Sequence, residues 1–276
     1  MRFGFSTNAF REYDLAEAIH LIGEAGFDGV ELLLDEPHLY PPTATADDVA
    51  AVRDALATAD VEISNCNGFM LTAIEDFHHP SFVEADADYR QRRVDYTRDA
   101  VETTADLGAD YVSIEPGGPL PEGKSRAWGE DTFEAGLREI LPTAAERGVE
   151  ILVEPEPDLL IETSDQFESF VSRFDSPYVG CNFDAGHFYC VGEDPADLVE
   201  PLAPYTSHYH LEDIPADRSH QHTQLGDGAM DVNGFLSAVE DTGYDGWVTV
   251  ELYPYESTAA ETARESYEYL RREGWV

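Results

Sequence analysis

Val179-Gly-Cys-Asn-Phe-Asp184 is a short hydrophobic run that ends in a potential metal ligand, and three other runs in the second half of the chain end in one too. They are Ile151-Leu-Val-Glu154, Ser207-His-Tyr-His210 and Trp247-Val-Thr-Val-Glu251. A short apolar run without strict alternation reads as a strand buried on both faces, the mark of parallel sheet covered by helices. If such strands close into a barrel, their C-terminal ends share one mouth, where barrel enzymes carry their chemistry. Glu154, Asp184, His210 and Glu251 would then meet there. Strand ends also turn polar simply because the core meets solvent. Three carboxylates and one imidazole in one place, however, concentrate like charge that a divalent cation would neutralise.

Outward from these runs, strand and helix signals alternate along the whole chain. Strands are expected over 3–6, 29–34, 61–64, 111–115, 149–154, 179–183, 206–210 and 247–252. Helices are expected over 15–25, 46–59, 85–107, 131–147, 165–173, 195–200, 232–242 and 258–272, the second capped by Thr45 or a nearby Asp. Between the third strand and its helix lies a long loop containing Gly68 and His78-His79-Pro80. Strict alternation predicts an α/β fold, a single (β/α)8 TIM barrel with residues 1–276 as one domain, and 276 residues suit the roughly 250 such a barrel needs. A doubly wound open sheet competes, but its GxGxxG fingerprint after the first strand is missing.

The formal charge is -41, from 57 acidic residues against 16 basic ones, and Lys124 is the single lysine. That balance resembles the proteins of extreme halophiles, whose self-repulsion is screened in molar salt, where the Debye length is about 3 Å. It also argues against a nucleic-acid partner, since no Lys/Arg-rich face is available to release counterions. Cys66, Cys181 and Cys190 make no CxxC pair, so neither a disulfide framework nor a thiolate zinc site is expected. With no targeting pattern and no long apolar run, a cytoplasmic protein without a membrane partner is expected.

The series Glu154, Asp184-Ala-Gly-His187, His210-Leu-Glu-Asp213, Gly226-Asp-Gly228 with Asp231, and Glu251 resembles the xylose isomerase-like barrel superfamily of sugar isomerases and epimerases, over essentially the full chain. Within it the chain looks most like the ketose 3-epimerases and the hydroxypyruvate and inosose enzymes. The resemblance implies that Glu154, Asp184, His210 and Glu251 bind one divalent metal and that His187 touches a substrate oxygen. It also allows a homo-oligomer. An oxygen-rich set with one imidazole suits Mn²⁺ or Mg²⁺, with Co²⁺ or Zn²⁺ as alternatives. A ketose or related keto-sugar or cyclitol could chelate the ion through vicinal oxygens and react through an enediolate, with Glu154 and Glu251 as catalytic bases on opposite faces.

Other outcomes remain open on the sequence. A metal-dependent dehydratase or lyase acting on a keto-sugar or inosose needs the same acidic C–H. The pair His220 and His222 matches the place where apurinic endonucleases of this barrel hold an Asp-x-His, so with His187 it is a candidate for a second ion. Alternatively the pair hydrogen-bonds sugar hydroxyls. The nuclease's further histidines have no evident match at the strand ends, and the charge disfavours DNA; a non-catalytic sugar-binding protein is disfavoured by the presence of both glutamates. Substrate contacts are expected from His187, His222, Glu156, Asn8 and Arg218, the last being the one loop cation that could meet a phosphate. Phe69 and Trp128 are candidate aromatic walls, and Glu115 is a candidate support for the site.

Overall fold

The computed structural model describes residues 1–69 and 78–276. Eight parallel strands pair in chain order and close, β1 onto β8, into a barrel. They are β1 (Arg2–Ser6), β2 (Gly29–Leu33), β3 (Glu62–Asn67), β4 (Tyr111–Ile114), β5 (Glu150–Val153), β6 (Val179–Asp184), β7 (Thr206–Leu211) and β8 (Trp247–Val250). Around them lie α1 (Leu15–Ala25), α2 (Ala46–Ala59), α3 (Ala87–Leu107), α4 (Arg126–Arg147), α5 (Ser164–Val171), α6 (Ala185–Cys190), α7 (Pro195–Leu202), α8 (Val232–Asp241) and α9 (Ala259–Glu273). Among the described residues no helix is long and apolar enough to cross a membrane.

The helix boundaries follow local chemistry. Thr45 and Asp48 form a reciprocal capping box that starts α2, as the sequence suggests. The α4 helix begins at 126 rather than 131 because Ser125 accepts from the backbone N–H of Trp128. The eight expected helices become nine among the described residues: α6 starts directly from β6, with Asp184 as its cap. Between strands and helices the packing is apolar, with Phe133 of α4 stacked on Phe170 of α5 at 4.7 Å between ring centroids. Of the expected long loop after β3, residues 70–77 lie outside the described residues.

β3 runs to Asn67, three residues past its expected end, because its polar tail Asn65-Cys-Asn67 faces a polar barrel interior. Pairing of β2 with β3 slips by one residue between Val30 and Glu31, and pairing of β6 with β7 slips between Cys181 and Asn182. Such bulges re-aim side chains beside functional sites. Here they accompany an interior layer of Ser6, Glu31, Asn65, Ser113, Asn182, His208 and Thr249, each fully buried, where barrels usually pack branched apolar residues.

Candidate metal centre

Glu154 follows β5, Asp184 closes β6, His210 lies near the end of β7 and Glu251 follows β8, so parallel strand direction brings all four to one mouth. One ligand atom from each lies within 4.8 Å of the others. His210 Nδ1 is 3.1 Å from Glu154 Oε1 and 3.7 Å from both Asp184 Oδ2 and Glu251 Oε2. All four side chains are buried.

The second oxygen of each carboxylate is held by a donor. Asn182 Nδ2 donates to Glu154 Oε2 at 2.7 Å. Asn8 Nδ2 and Asn67 Nδ2 donate to Glu251 Oε1 at 2.7 and 3.3 Å. Asp184 Oδ1 accepts the His187 backbone N–H at 2.7 Å, capping α6, while its Oδ2 is buried without a hydrogen-bond partner. A Cβ at Gly186 would sit 1.8 Å from Glu212 Oε1, so a side chain there would displace the buried Glu212 carboxylate.

Electrostatics shows the strain of this concentration. Burial, reinforced by neighbouring carboxylates, raises the Glu154 carboxyl and pushes that of Glu251 well above the usual range. Burial would raise Asp184 too, but His187, His210 and His222 hold it well below. Burial alone would lower His210, yet Glu31, Glu154 and Glu251 drive it well above the ordinary imidazole value. A hard divalent cation would relieve this charge, and the orphaned Asp184 Oδ2 offers it an acceptor; the residues present fit such an ion.

A cavity of about 620 Å³ opens over the centre, lined by Asn8, Glu156, His187 and His220 among the expected residues, and by Phe69 and Tyr253. Asn8 is committed to Glu251 through Nδ2, which leaves its buried Oδ1 free. Glu156 lines the wall with Oε2 unpartnered, and burial together with Glu154 and Glu115 raises its carboxyl well above the usual range. His187 donates from Nδ1 to Pro155 O at 3.0 Å and His222 from Nδ1 to Glu251 O at 2.9 Å. Each thereby keeps its Nε2 lone pair for another partner. With His220 they bring ligand atoms within 4.8 Å.

His222 lies outside the cavity lining, 3.5 Å from Glu251 Oε2, and two other expected residues are placed further off. Arg218 donates to Tyr189 O at 2.6 Å and stacks 4.1 Å over that ring, so the structure does not bring it to the cavity. Trp128 takes the Lys124 ammonium over its ring at 4.3 Å and is not a cavity wall. Glu115 is fully buried, 3.5 Å from Arg93 Nη2. The Gly226-Asp-Gly228 loop wraps Asp213, whose carboxylate accepts the N–H groups of Ile214, Gly226, Gly228 and Met230; its glycines are structural.

Sequence reading missed Glu31, Asn182 and His208. Glu31 Oε2 lies 2.6 Å from His210 Nε2, and His208 Nδ1 lies 2.6 Å from Asn182 Oδ1. A charge in the middle of the otherwise uncharged run Gly29-Val-Glu-Leu-Leu33 was the signal available for Glu31.

A family model described as xylose isomerase-like TIM barrel matches residues 19–273, and the chain belongs to that family. It is 27% identical to an uncharacterized protein of Methanocaldococcus jannaschii, over 91% of this chain and 83% of that protein. It is 23% identical to an inosose dehydratase of Clostridium beijerinckii over 95% and 90% of the two chains. Among solved structures, a D-tagatose 3-epimerase-like protein superposes with a TM-score of 0.79 at 24% identity, covering 99% of both chains. That likeness establishes the shared fold.

Proposed function

We propose that residues 1–276 act as one barrel domain and that the chain is a divalent-metal-dependent isomerase or epimerase acting on an uncharged ketose, keto-sugar or cyclitol. The observation that carries this is the pair Glu154 and Glu251, which border one centre from β5 and β8, each with its outer oxygen held by an amide. The fold shared with a D-tagatose 3-epimerase-like protein supports it.

In this proposal Glu154, Asp184, His210 and Glu251 hold the ion, Mn²⁺ or Mg²⁺ by donor chemistry. When bound, it would supply Lewis-acid polarisation of a substrate carbonyl. Glu154 and Glu251 act as the two bases: one takes the proton from the carbon beside that carbonyl, and the other delivers a proton on the far face, inverting the centre. Burial raises both carboxyls above the usual range, and a bound cation would oppose that shift by favouring the carboxylate form. His187 and His222 are lowered by burial to about 3 and about 4, so as neutral rings they accept hydrogen bonds from substrate hydroxyls. Asn8 Oδ1 and Glu156 complete the polar wall, and Phe69 and Tyr253 cover the apolar face of the sugar. The only arginine or lysine among the described lining residues, Arg11, is paired with Glu256, which favours an unphosphorylated substrate.

Dehydration of a keto-sugar or inosose is the second reading, favoured by the resemblance to an inosose dehydratase. Incubation of metal-loaded protein with a panel of ketoses and inososes in deuterated water separates the two. Deuterium at an inverted carbon with no loss of water is expected; a dehydrated product would replace the epimerase reading by the lyase one. Metal stoichiometry tests the three histidines. One equivalent is expected if they bind hydroxyls; a second equivalent lost in His220→Ala would assign them a second ion.

We also propose that the acidic composition is a salt adaptation. Arg173 already lies in an acidic cluster, 2.7 to 3.1 Å from Glu130, Asp131 and Glu134. With a net charge of -41, screening removes far more repulsion than attraction. The melting midpoint is expected to climb between dilute buffer and molar KCl. A flat profile would show that the charge is compensated within the fold.

A further inference from the structure

We infer, on the reading that His210 is a metal ligand, that Glu31 is the positioning residue that commits His210 to bind metal through Nδ1 and thereby sets the affinity of the centre. Glu31 lies in β2, across the barrel from the four ligands, and is fully buried. Its carboxylate accepts from Ser6 Oγ at 2.7 Å and from Asn65 Nδ2 at 2.7 Å. Asn67 Nδ2 approaches it at 3.5 Å. These donors come from β1 and β3 and fix the carboxylate plane.

The remaining direction of the carboxylate points at His210 Nε2, 2.6 Å away. A carboxylate accepts, so Nε2 must carry the proton, and a neutral ring then has its lone pair on Nδ1. Nδ1 is the atom that faces Glu154, Asp184 and Glu251. Glu31 therefore selects the tautomer, locks the ring plane and enriches the donor electron density, as carboxylates behind metal-binding histidines do. The pairing slip beside Glu31 supports a placed side chain: it turns Asn65 and Asn67 toward the same carboxylate.

The test is metal binding, read by Mn²⁺ or Zn²⁺ competition against a chromophoric chelator, with folding followed by circular dichroism. Glu31→Gln keeps the volume and removes the charge. It is expected to weaken binding by about 10–100-fold. Ser6→Ala removes the donor to the other carboxylate oxygen, Oε1, which does not face His210, and is expected to lower the melting midpoint while leaving affinity within about threefold of the parent. Equal affinity in parent and Glu31→Gln, or an equal loss in Ser6→Ala, would overturn the role. If Glu31→Gln does not fold, Glu31→Asp and the parent decide the matter. ¹⁵N shifts of the Zn²⁺-loaded parent should show Nε2–H and a metal-bound Nδ1, and metal on Nε2 would overturn the inference. A parent that binds no divalent ion removes the metal centre itself, an outcome distinct from equal binding by parent and variant.

Discussion

Glu154→Gln and Glu251→Gln are each expected to lower net inversion by about 100-fold or more, the usual range for losing a positioned acid or base. Each variant should still exchange the substrate proton facing its surviving carboxylate, so the two lose exchange from opposite epimers. The assay needs excess metal. A glutamine at 154 must either turn its amide oxygen to Asn182, presenting NH₂ to the ion, or set two NH₂ groups against each other; the same conflict arises at 251 with Asn8 and Asn67. Metal affinity will therefore fall in both, and occupancy must be measured beside activity. Near-parental inversion by both variants at full occupancy would sink the two-base mechanism and turn attention to His187, His220 and His222.

Asp184→Ala is expected to lose metal and helix stability together, because the one side chain serves both. Oδ1 caps α6 and Oδ2 faces the centre. Removing the cap should cost about 1 kcal/mol. Removing the ligand should weaken metal binding by at least about 100-fold, beyond what changes behind a ligand produce. Asp184→Asn separates the roles. Asparagine is as good a cap as aspartate, so the melt should stay near parental while affinity still drops with the lost charge. Unchanged affinity in a metal titration of Asp184→Ala would remove Asp184 from the centre.

The four strand-end residues were legible because a barrel converts sequence periodicity into convergence: every parallel strand delivers its last residue to the same rim. His187 came into view through the family resemblance of Asp184-Ala-Gly-His187, and the cap of α6 is what sets it beside Asp184. Arg218 was not, since nothing local distinguishes a loop cation that enters a cavity from one stacked on Tyr189. The tail of β3 was hidden for a related reason. Asn65-Cys-Asn67 reads as a turn unless the barrel interior beside it is known to be polar.

By itself, then, the sequence determined the alternation of strands and helices, the barrel that follows from it, and the acids and imidazole at the strand ends. All of these rest on local pattern: buried runs, caps and punctuating turns. Tertiary structure alone decided which atoms face one another. Glu31 and His210 are 179 residues apart, and Asn8 and Glu251 are 243 apart, yet each pair is held within a hydrogen bond. No periodicity carries that information, because it arises when barrel closure sets β1 against β8 and a slipped register turns polar side chains inward.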